Sequence, residues 1–255
     1  MRELSRSGNH LVGTRGRATF DMETGKSANT STLAIMDLGG KDEVVVVEHA
    51  QESDMQRIVF DEAADFSELD EWAVGPAGNL YTAPVRDAYI INVRNLDGEM
   101  VRTMTREFQP RKRNQEDKDE LTQGMVIIMD GVRMEIESKA LDNDPAIMGL
   151  EVADDGRLFV RTCFDQEDLL ETGVAGRFDV ISPGGEFVEQ LIVAVPGFDG
   201  KKDRLVFMDG ENFVVIRNFD QAQKAMEAGF GDGGEEEEDD LEDAEPLEVV
   251  FYRVP

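Results

Sequence analysis

Short runs of alternating apolar and polar residues, separated by glycine-containing turns, fill most of the chain. This period of two is the pattern of β-strands joined in hairpins. The phrase VGPAGNLYTA, which starts at Val74, recurs 78 positions later as VADDGRLFVR, which starts at Val152. In both copies a glycine stands where a tight turn requires a positive φ, so each phrase predicts a hairpin. The residues predicted to share one face are Leu150, Val152, Leu158 and Val160 in the second copy and Trp72, Val74, Leu80 and Thr82 in the first.

Each of these hairpins is followed by a second one. The stretches INVRNLDGEMV and FDVISPGGEFV turn at Asp97-Gly98 and Gly184-Gly185, and they align with an offset of 87 residues. Two hairpins in succession make four antiparallel strands, which is the blade of a β-propeller. Blades stack because one blade alone cannot cover both of its apolar faces. Further hairpins are predicted at Gly39-Gly40, Asp130-Gly131 and Asp209-Gly210.

The predicted fold is therefore an all-β β-propeller of four-stranded antiparallel blades. The hairpins make about four to five blades, in a single domain over residues 1–255. Two short polar segments interrupt the strand pattern and are predicted to be helical insertions on the rim. One begins with Asn114 as N-cap and ends before Gly124. The other has Asp220 as N-cap, Gln223 at the capping-box position and Gly229 as terminator.

An acidic segment lies near the C-terminus, inside the last predicted blade. Nine of the eleven residues from Glu235 to Glu245 are acidic. Like charges repel and such a segment has little to bury, so residues 232–246 are predicted to form a disordered loop. A strand from Leu247 to Val254 follows, so the loop joins two strands and is not a tail.

Two long stretches carry a resemblance to a known family. DEWAVGPAGNLYTAPVRDAYIINVRNLDGEMVRTM and IMGLEVADDGRLFVRTCF…GRFDVISPGGEFVEQLIV resemble the repeating unit of bacterial six-bladed β-propeller proteins related to NHL-repeat proteins. The closing LEVVFYRV and the polar TREFQPRKRNQEDKDEL are similar to segments of those proteins as well. The resemblance spans roughly Leu33 to Val254. It implies either an incomplete six-bladed ring that lacks N-terminal blades or a smaller or open propeller, and an exported or periplasmic protein whose signal is absent here. It implies no particular reaction.

Charge narrows the range of partners. Asp and Glu number 55 against 26 Lys and Arg, which gives a net charge of −29. So negative a surface repels nucleic acids and anionic membranes, and it suits cationic partners, bound cations or a salty medium. The excess fits either adaptation to high salt or ordinary solubility with one acidic loop. No stretch approaches the roughly 20 apolar residues of a membrane-spanning helix, so we expect a soluble chain without a membrane span.

Few residues offer catalytic chemistry. Cys163, the only cysteine, ends an apolar run and is predicted to be a small buried hydrophobe and not a nucleophile. His10 and His49 are the only histidines, they lack the spacing of a zinc site, and no nucleophile elbow accompanies them. We interpret His49 as a surface residue at a strand end. The GFGDGG segment from Gly229 matches a dinucleotide-binding pattern, but no strand precedes it and acidic residues follow, so we reject nucleotide binding there.

Two acidic clusters and one basic run remain. The DNDP segment from Asp142 and the pair Asp154-Asp155 offer oxygen ligands for Ca²⁺, although turn formation is the favoured interpretation. Trp72 aligns with the apolar Leu150, which favours core packing over a stacking role at the propeller axis. The basic run is expected to make internal ion pairs or a rim contact and consists of Arg106, Arg111, Lys112 and Arg113.

We therefore assign no catalytic, cofactor-binding or metal-ligating residue from the sequence. The sequence favours a non-catalytic β-propeller that binds an unknown small molecule, glycan or protein. The alternative is a divalent-metal-dependent hydrolase or lyase of the lactonase-like propeller type, with carboxylate and Asn side chains from different blades around one axial metal. That alternative rests on analogy between folds, and it keeps a divalent cation such as Ca²⁺ open as a cofactor.

Overall fold

Antiparallel β-sheets make up nearly all of the regular structure. The computed structural model describes residues 4–21, 24–40, 42–54, 59–123, 127–129, 132–134, 137–165, 173–209, 211–223 and 246–253. The chain divides into two compact units, Met1–Glu151 and Val152–Pro255. Each unit is described by itself below. The single domain predicted over residues 1–255 therefore stays a prediction.

The first sheet, blade 1, is built from the longest strands of the chain. Its strands lie in sequence order, each antiparallel to the next: β1 (Leu4–Ser7), β2 (His10–Asp21), β3 (Lys26–Asp37) and β4 (Val44–Asp54). The predicted hairpin at Gly39-Gly40 joins β3 to β4, and Gly40 has a φ of 69°. Alternation buries Val12, Leu33 and Ile35 on one face of this sheet, where they form a core with two residues of the following segment.

A short pair of elements, β5 (Val59–Asp61) and α1 (Glu62–Asp65), leads into the second sheet. This sheet, blade 2, has the strand order β6 (Trp72–Val74), β7 (Leu80–Thr82), β8 (Ile90–Arg94) and β9 (Met100–Thr105). Leu69 and Leu80 complete the core of blade 1. The hydroxyl of Ser7 donates to the backbone C=O of Gly75 at 2.9 Å, which ties β1 to the first turn of blade 2.

An insertion of short elements follows blade 2. It contains α2 (Gln115–Gln123), an antiparallel hairpin of β10 (Ile127–Met129) and β11 (Val132–Met134), and β12 (Glu137–Lys139), which pairs in parallel with β5. Asn114 caps α2 as predicted: its side-chain oxygen accepts from the N–H of Asp117 at 2.9 Å, and a carboxylate oxygen of Asp117 accepts from the N–H of Asn114 at 2.7 Å. The hairpin predicted at Asp130-Gly131 is confirmed by its strands, but its turn residues and Gly124 lie outside the described residues.

The third sheet, blade 3, repeats the arrangement of blade 2. Its order is β13 (Ile147–Val152), β14 (Leu158–Thr162), β15 (Val174–Ile181) and β16 (Phe187–Ala194), and the division between the two units falls within β13. The fourth sheet, blade 4, has the order β17 (Arg204–Phe207), β18 (Asn212–Arg217) and β19 (Glu248–Arg253). Blade 4 thus shows three strands in the part of the chain that the structure describes.

The repeated phrases form the same turn twice. In the first hairpins of blades 2 and 3, the N–H of Gly78 donates to Gly75 at 3.1 Å and the N–H of Gly156 donates to Ala153 at 2.8 Å. The two glycines have φ values of 81° and 82°, which a residue with a Cβ rarely adopts. This is a type I turn closed by a glycine bulge. The second hairpins match as well, since Gly98 and Gly185 donate to Asn95 and Ser182 at 3.0 and 2.8 Å.

Aromatic side chains fill the core of the second unit. Phe159 of β14 stacks on Phe207 of β17 with ring centroids 3.8 Å apart, and Phe178 of β15 meets Phe207 edge to face at 4.9 Å. Phe213 of β18 stacks on Tyr252 of β19 at 5.2 Å. Blades 3 and 4 therefore shelter each other's apolar faces, as stacked blades must. The prediction of an all-β β-propeller with four-stranded antiparallel blades and short polar helices is confirmed.

Near the C-terminus, one predicted helix boundary differs from the structure, and other predicted features lie outside the described residues. The described helical residues near the C-terminus are 219–223, so Asp220 lies inside the first turn and is not the N-cap. The chain reverses at Asn218, whose φ is 55° and whose C=O accepts from the N–H of Ala222 at 3.1 Å. The acidic loop predicted over residues 232–246, apart from Pro246, and the GFGDGG segment lie outside the described residues, as does Gly229.

Candidate functional site

Cys163 is completely buried, directly after β14. The interpretation as a small buried hydrophobe is confirmed. Asp165, two residues further along the chain, is also buried. Its carboxylate accepts hydrogen bonds from the side chain of Arg161 and from the backbone N–H of Arg177. Burial raises the pKa of Asp165 above its ordinary value, and the hydrogen bonds and charge of Arg161 oppose that rise. These contacts hold the end of β14 against the start of β15.

The two histidines lie in different strands of blade 1. His10 starts β2 and pairs with Asp37 of β3, while His49 pairs with Ser31 in the middle of β4. His49 is half-buried, and its interpreted position at a strand end is wrong. The reason is that β4 continues for five residues beyond it, to Asp54, although the apolar run ends at Val47.

The two acidic clusters are engaged by neighbouring cations and turns. In the DNDP segment, Asp142 pairs with Lys118 and the buried Asp144 pairs with Arg111 and Arg113. Asp155 accepts from the N–H and the guanidinium of Arg157 at 3.0 and 2.8 Å, which is the predicted turn chemistry. Among the residues that the structure describes, no group of three His, Cys, Asp or Glu side chains is arranged to hold a metal ion.

Arg111 and Arg113 of the basic run belong to a largely buried network that we call the arginine cluster. Its members are Glu62, Arg86, Arg111, Arg113, Asp117 and Asp144, three cations and three carboxylates. Arg113, only 8% exposed, is at its centre. Its Nε donates to Asp144 at 2.7 Å, and its terminal nitrogen donates to both oxygens of Glu62 at 2.7 and 2.9 Å. The predicted internal ion pairs are thereby confirmed for Arg111 and Arg113.

The remaining contacts of the cluster fix backbone as well as side chains. Arg86 pairs with Glu62 and donates to the C=O of Asn143 at 2.8 Å. Glu62 also accepts from the N–H of Leu141 at 2.7 Å. Burial alone would raise the pKa of Glu62, but the hydrogen bonds from Arg113, Leu141 and Arg86 outweigh it, so the pKa lies below its ordinary value.

The arginine cluster therefore acts as a structural joint. It connects α1 to two segments of the insertion, which also pair through the bridge between Lys112 and Asn143. Both central carboxylates are already satisfied by arginines, so they offer nothing to a ligand. The guanidinium of Arg106 lies apart, 5.5 Å from the ring centre of Tyr89. Sequence reasoning missed Glu62 and Arg86 because they are 24 or more residues from their side-chain partners within the cluster, and no local signal marks such a contact.

A polar row crosses blade 2. Thr82, Asn92 and Thr103 are register partners on β7, β8 and β9, and Thr103 donates to Asn92 at 3.0 Å. Blade 3 repeats the outer part of this row, since Asp179 on β15 and Gln190 on β16 are partners and Gln190 donates to Asp179 at 3.3 Å. Adding the offset of 87 residues to Asn92 and Thr103 gives Asp179 and Gln190, so the sequence repeat alone would have located this second pair.

The outermost strands of blades 1 to 3 share a β-bulge. In each, the register against the third strand shifts by one residue, so one valine has no partner in the ladder: Val46, Val101 or Val188. Such bulges re-aim side chains and blunt a sheet edge. Val101 and Val188 are 56% and 54% exposed, at positions 87 apart. The residues before them, Met100 and Phe187, are exposed too.

We call these residues the outer-strand pairs: Met100 with Val101, and Phe187 with Val188. Apolar side chains that are exposed singly are ordinary on any protein surface. Here the same backbone irregularity presents two adjacent apolar side chains at equivalent places in two blades. Trp72, in contrast, packs against the core of blade 1, which agrees with its predicted core role.

No protein-family model matches the chain, and no curated protein matches it. Two solved structures are similar in part. A protein of unknown function from Bacteroides caccae matches with 12% identity and a TM-score of 0.26 over 73% of this chain, which spans 61% of that protein's length. A luciferin-regenerating enzyme matches with 12% identity and a TM-score of 0.25 over 93% of this chain and 76% of its own. Likeness at this level establishes no family and carries no function to the chain.

The helices of the described residues are short. The longest, α2, has nine residues, and none is long and apolar enough to cross a membrane.

Proposed function

We propose that the chain is a non-catalytic β-propeller protein that binds cationic protein partners. The observation that carries the proposal is the recurrence of the outer-strand pairs on blades 2 and 3, each at a bulge and each exposed. Exposed apolar side chains on a regular scaffold are typical of surfaces that contact other proteins.

Charge decides which class of partner fits. A net charge of −29 attracts a cationic surface over a distance of about 10 Å at moderate salt and repels nucleic acids. The apolar pairs then supply contact area once the partner is near. A small molecule or a glycan as the ligand stays a prediction from the sequence, as does the metal-dependent hydrolase or lyase. The six-bladed, NHL-repeat-like, bacterial and exported character likewise stays a prediction from the resemblance.

Site-specific photocrosslinking tests the proposal. A photoreactive phenylalanine analogue is placed at Val101, at Val188 or, as a control, at Phe20, which is 63% exposed on β2. In cells that produce the protein, positions 101 and 188 are expected to give the same discrete protein adducts, which added salt weakens, and position 20 is expected to give none of them. Equal adducts at all three positions, or none at 101 and 188, would overturn the proposal.

A further inference from the structure

The edge of blade 4 differs from the edges of the other blades. Blades 1 to 3 each end in a fourth strand that carries a bulge, whereas the described strands of blade 4 end at β19. Six consecutive residue pairs join β18 to β19, from Asn212 with Arg253 to Arg217 with Glu248, without a register shift. A regular edge strand presents an unbroken row of N–H and C=O groups, which is a template for another strand.

The side chains of β19 also leave this edge open. Its centre, from Val249 to Tyr252, contains no charged residue, whereas β9 and β16 carry Arg102 and Glu189 next to their bulges. Charges and bulges are the usual means by which a sheet edge avoids pairing with another chain. Among the last strands of the four blades in the described chain, β19 is thus the one whose centre lacks both.

One face of β19 is in contact with solvent and is apolar up to Arg253 at the end of the strand. Val249 and Phe251 point the same way because side chains alternate along a strand, and they are 60% and 64% exposed. The opposite face packs into the core, where Tyr252 stacks on Phe213. The corresponding strand of blade 3, β15, is covered by β16, and Phe178 to Ile181 on it are all buried.

We propose that the edge of β19, which pairs with no other strand among the described residues, binds an extended cationic segment of a partner protein, which adds to blade 4 as its fourth strand. This inference rests on the proposed function and names the mode of binding. Apolar residues at every second position of the added strand would lie beside Val249 and Phe251, at the distance of about 5 Å between neighbouring strands. Main-chain hydrogen bonds would supply the remaining contacts.

The charge of the chain selects a cationic segment and disfavours a second copy. Two copies of a chain that carries −29 repel each other, and nine of the eleven residues 235–245, which precede β19 in the sequence, are acidic. A segment with Lys or Arg between its apolar residues gains from the same field. Its Lys or Arg side chains lie on the opposite face of the added strand, the face that Val250 and Tyr252 share in β19.

Peptide binding to the full 255-residue chain tests the inference. The probe is the labelled peptide KVKVKVKV, measured by fluorescence polarisation. Three matched peptides are the controls: EVEVEVEV keeps the apolar face and reverses the charge, KGKGKGKG keeps the charge and removes the apolar face, and a KVKVKVKV peptide N-methylated at alternate residues loses backbone donors. We expect binding of the first peptide, at least tenfold weaker binding of each control, and weakening by added salt.

The variants locate the site. Phe251→Lys is expected to weaken binding of KVKVKVKV at least tenfold, and the milder Phe251→Thr, which keeps strand propensity, at least threefold. Phe20→Lys makes the same change in charge at an equally exposed phenylalanine outside this edge, 63% against 64%, and is expected to leave binding unchanged. Far-UV circular dichroism and thermal unfolding of the full chain report whether each variant is folded, since Trp72 lies in the other compact unit from Phe251.

The results that contradict the inference can be distinguished from results that contradict the proposed function. Binding that is insensitive to Phe251→Lys, or equally weakened by Phe20→Lys, overturns the strand-addition site and leaves a cationic partner in place. Absence of binding overturns the inference, while the crosslinks at Val101 and Val188 test the proposed function independently. A dimer that forms without peptide and dissociates in Phe251→Lys would show that the occupant is a second copy.

Discussion

Removal of Arg113 from the arginine cluster is the most direct test of how the insertion is held. Arg113→Met keeps most of the side-chain volume but deletes a buried cation that makes three hydrogen bonds to Glu62 and Asp144. Loss of one partner from a buried ion pair costs about 3–5 kcal/mol, because the remaining charge stays desolvated. Glu62 and Asp144 each keep a second arginine, so we expect the lower end, about 3 kcal/mol.

Urea unfolding, followed by tryptophan fluorescence, measures this cost. Trp72 is the only tryptophan and lies in the same compact unit as Arg113, so its signal reports the unit that contains the cluster. The matched control is Arg15→Met, which removes an exposed arginine with one ion pair, to Glu43 at 2.8 Å. An exposed pair of this kind contributes about 0.5 kcal/mol.

The reasoning is refuted if the two variants lose the same free energy of unfolding. It is also refuted if Arg113→Met has the same free energy of unfolding as the wild type, since Arg113 would then stabilise the fold no more than an apolar side chain does. A change in the slope of unfolding against urea, without a change in midpoint, would report a change in surface exposed and not in stability.

Four further predictions follow from the structure. The pKa of Glu62 is lower in the folded chain than its ordinary 4.5, so the ionised carboxylate stabilises the fold above that pH and this contribution is lost as the pH falls. The difference in free energy of unfolding between wild type and Arg113→Met should therefore shrink below about pH 4.5 in urea titrations. A difference that stays constant with pH would contradict this. Gly98→Ala should lower the free energy of unfolding in urea by more than about 1 kcal/mol, because the φ of Gly98 is 80° and a Cβ would lie 2.8 Å from the side chain of Val44. Gly40→Ala, which has open space around it, should lower the free energy of unfolding by less. Cys163 should react with a thiol reagent in urea but not in the native protein, and rapid native labelling would contradict its burial. Removal of divalent metal by EDTA should leave the melting temperature unchanged, whereas a tightly bound stoichiometric metal would favour the hydrolase or lyase alternative.

The hairpins could be predicted because their signals are local. A glycine at the turn and alternation on either side fix the hydrogen bonds of Gly78 and Gly156 within five residues. The cap of α2 is local in the same sense, since Asn114 and Asp117 satisfy each other. The N-cap at Asp220 was misplaced because the positive φ of Asn218 starts that helix earlier.

Features that depend on distant contacts could not be predicted. Strand β2 carries a long polar stretch, and pairing with β1 and β3 holds it in register where its own pattern is weak. The arginine cluster brings Glu62 to Arg113 across 51 residues. The exposed edge of β19 is visible only when its uninterrupted pairing is compared with the bulged strands of the other blades.

Hydrogen–deuterium exchange with and without the peptide KVKVKVKV tests the central claim most directly, because it reads backbone pairing residue by residue. We expect saturating peptide to slow exchange of amides in β19, residues Glu248–Arg253, and to leave those of β9 and β16 unchanged. Slowed exchange on β9 or β16, or no change on β19 at saturation, would contradict it.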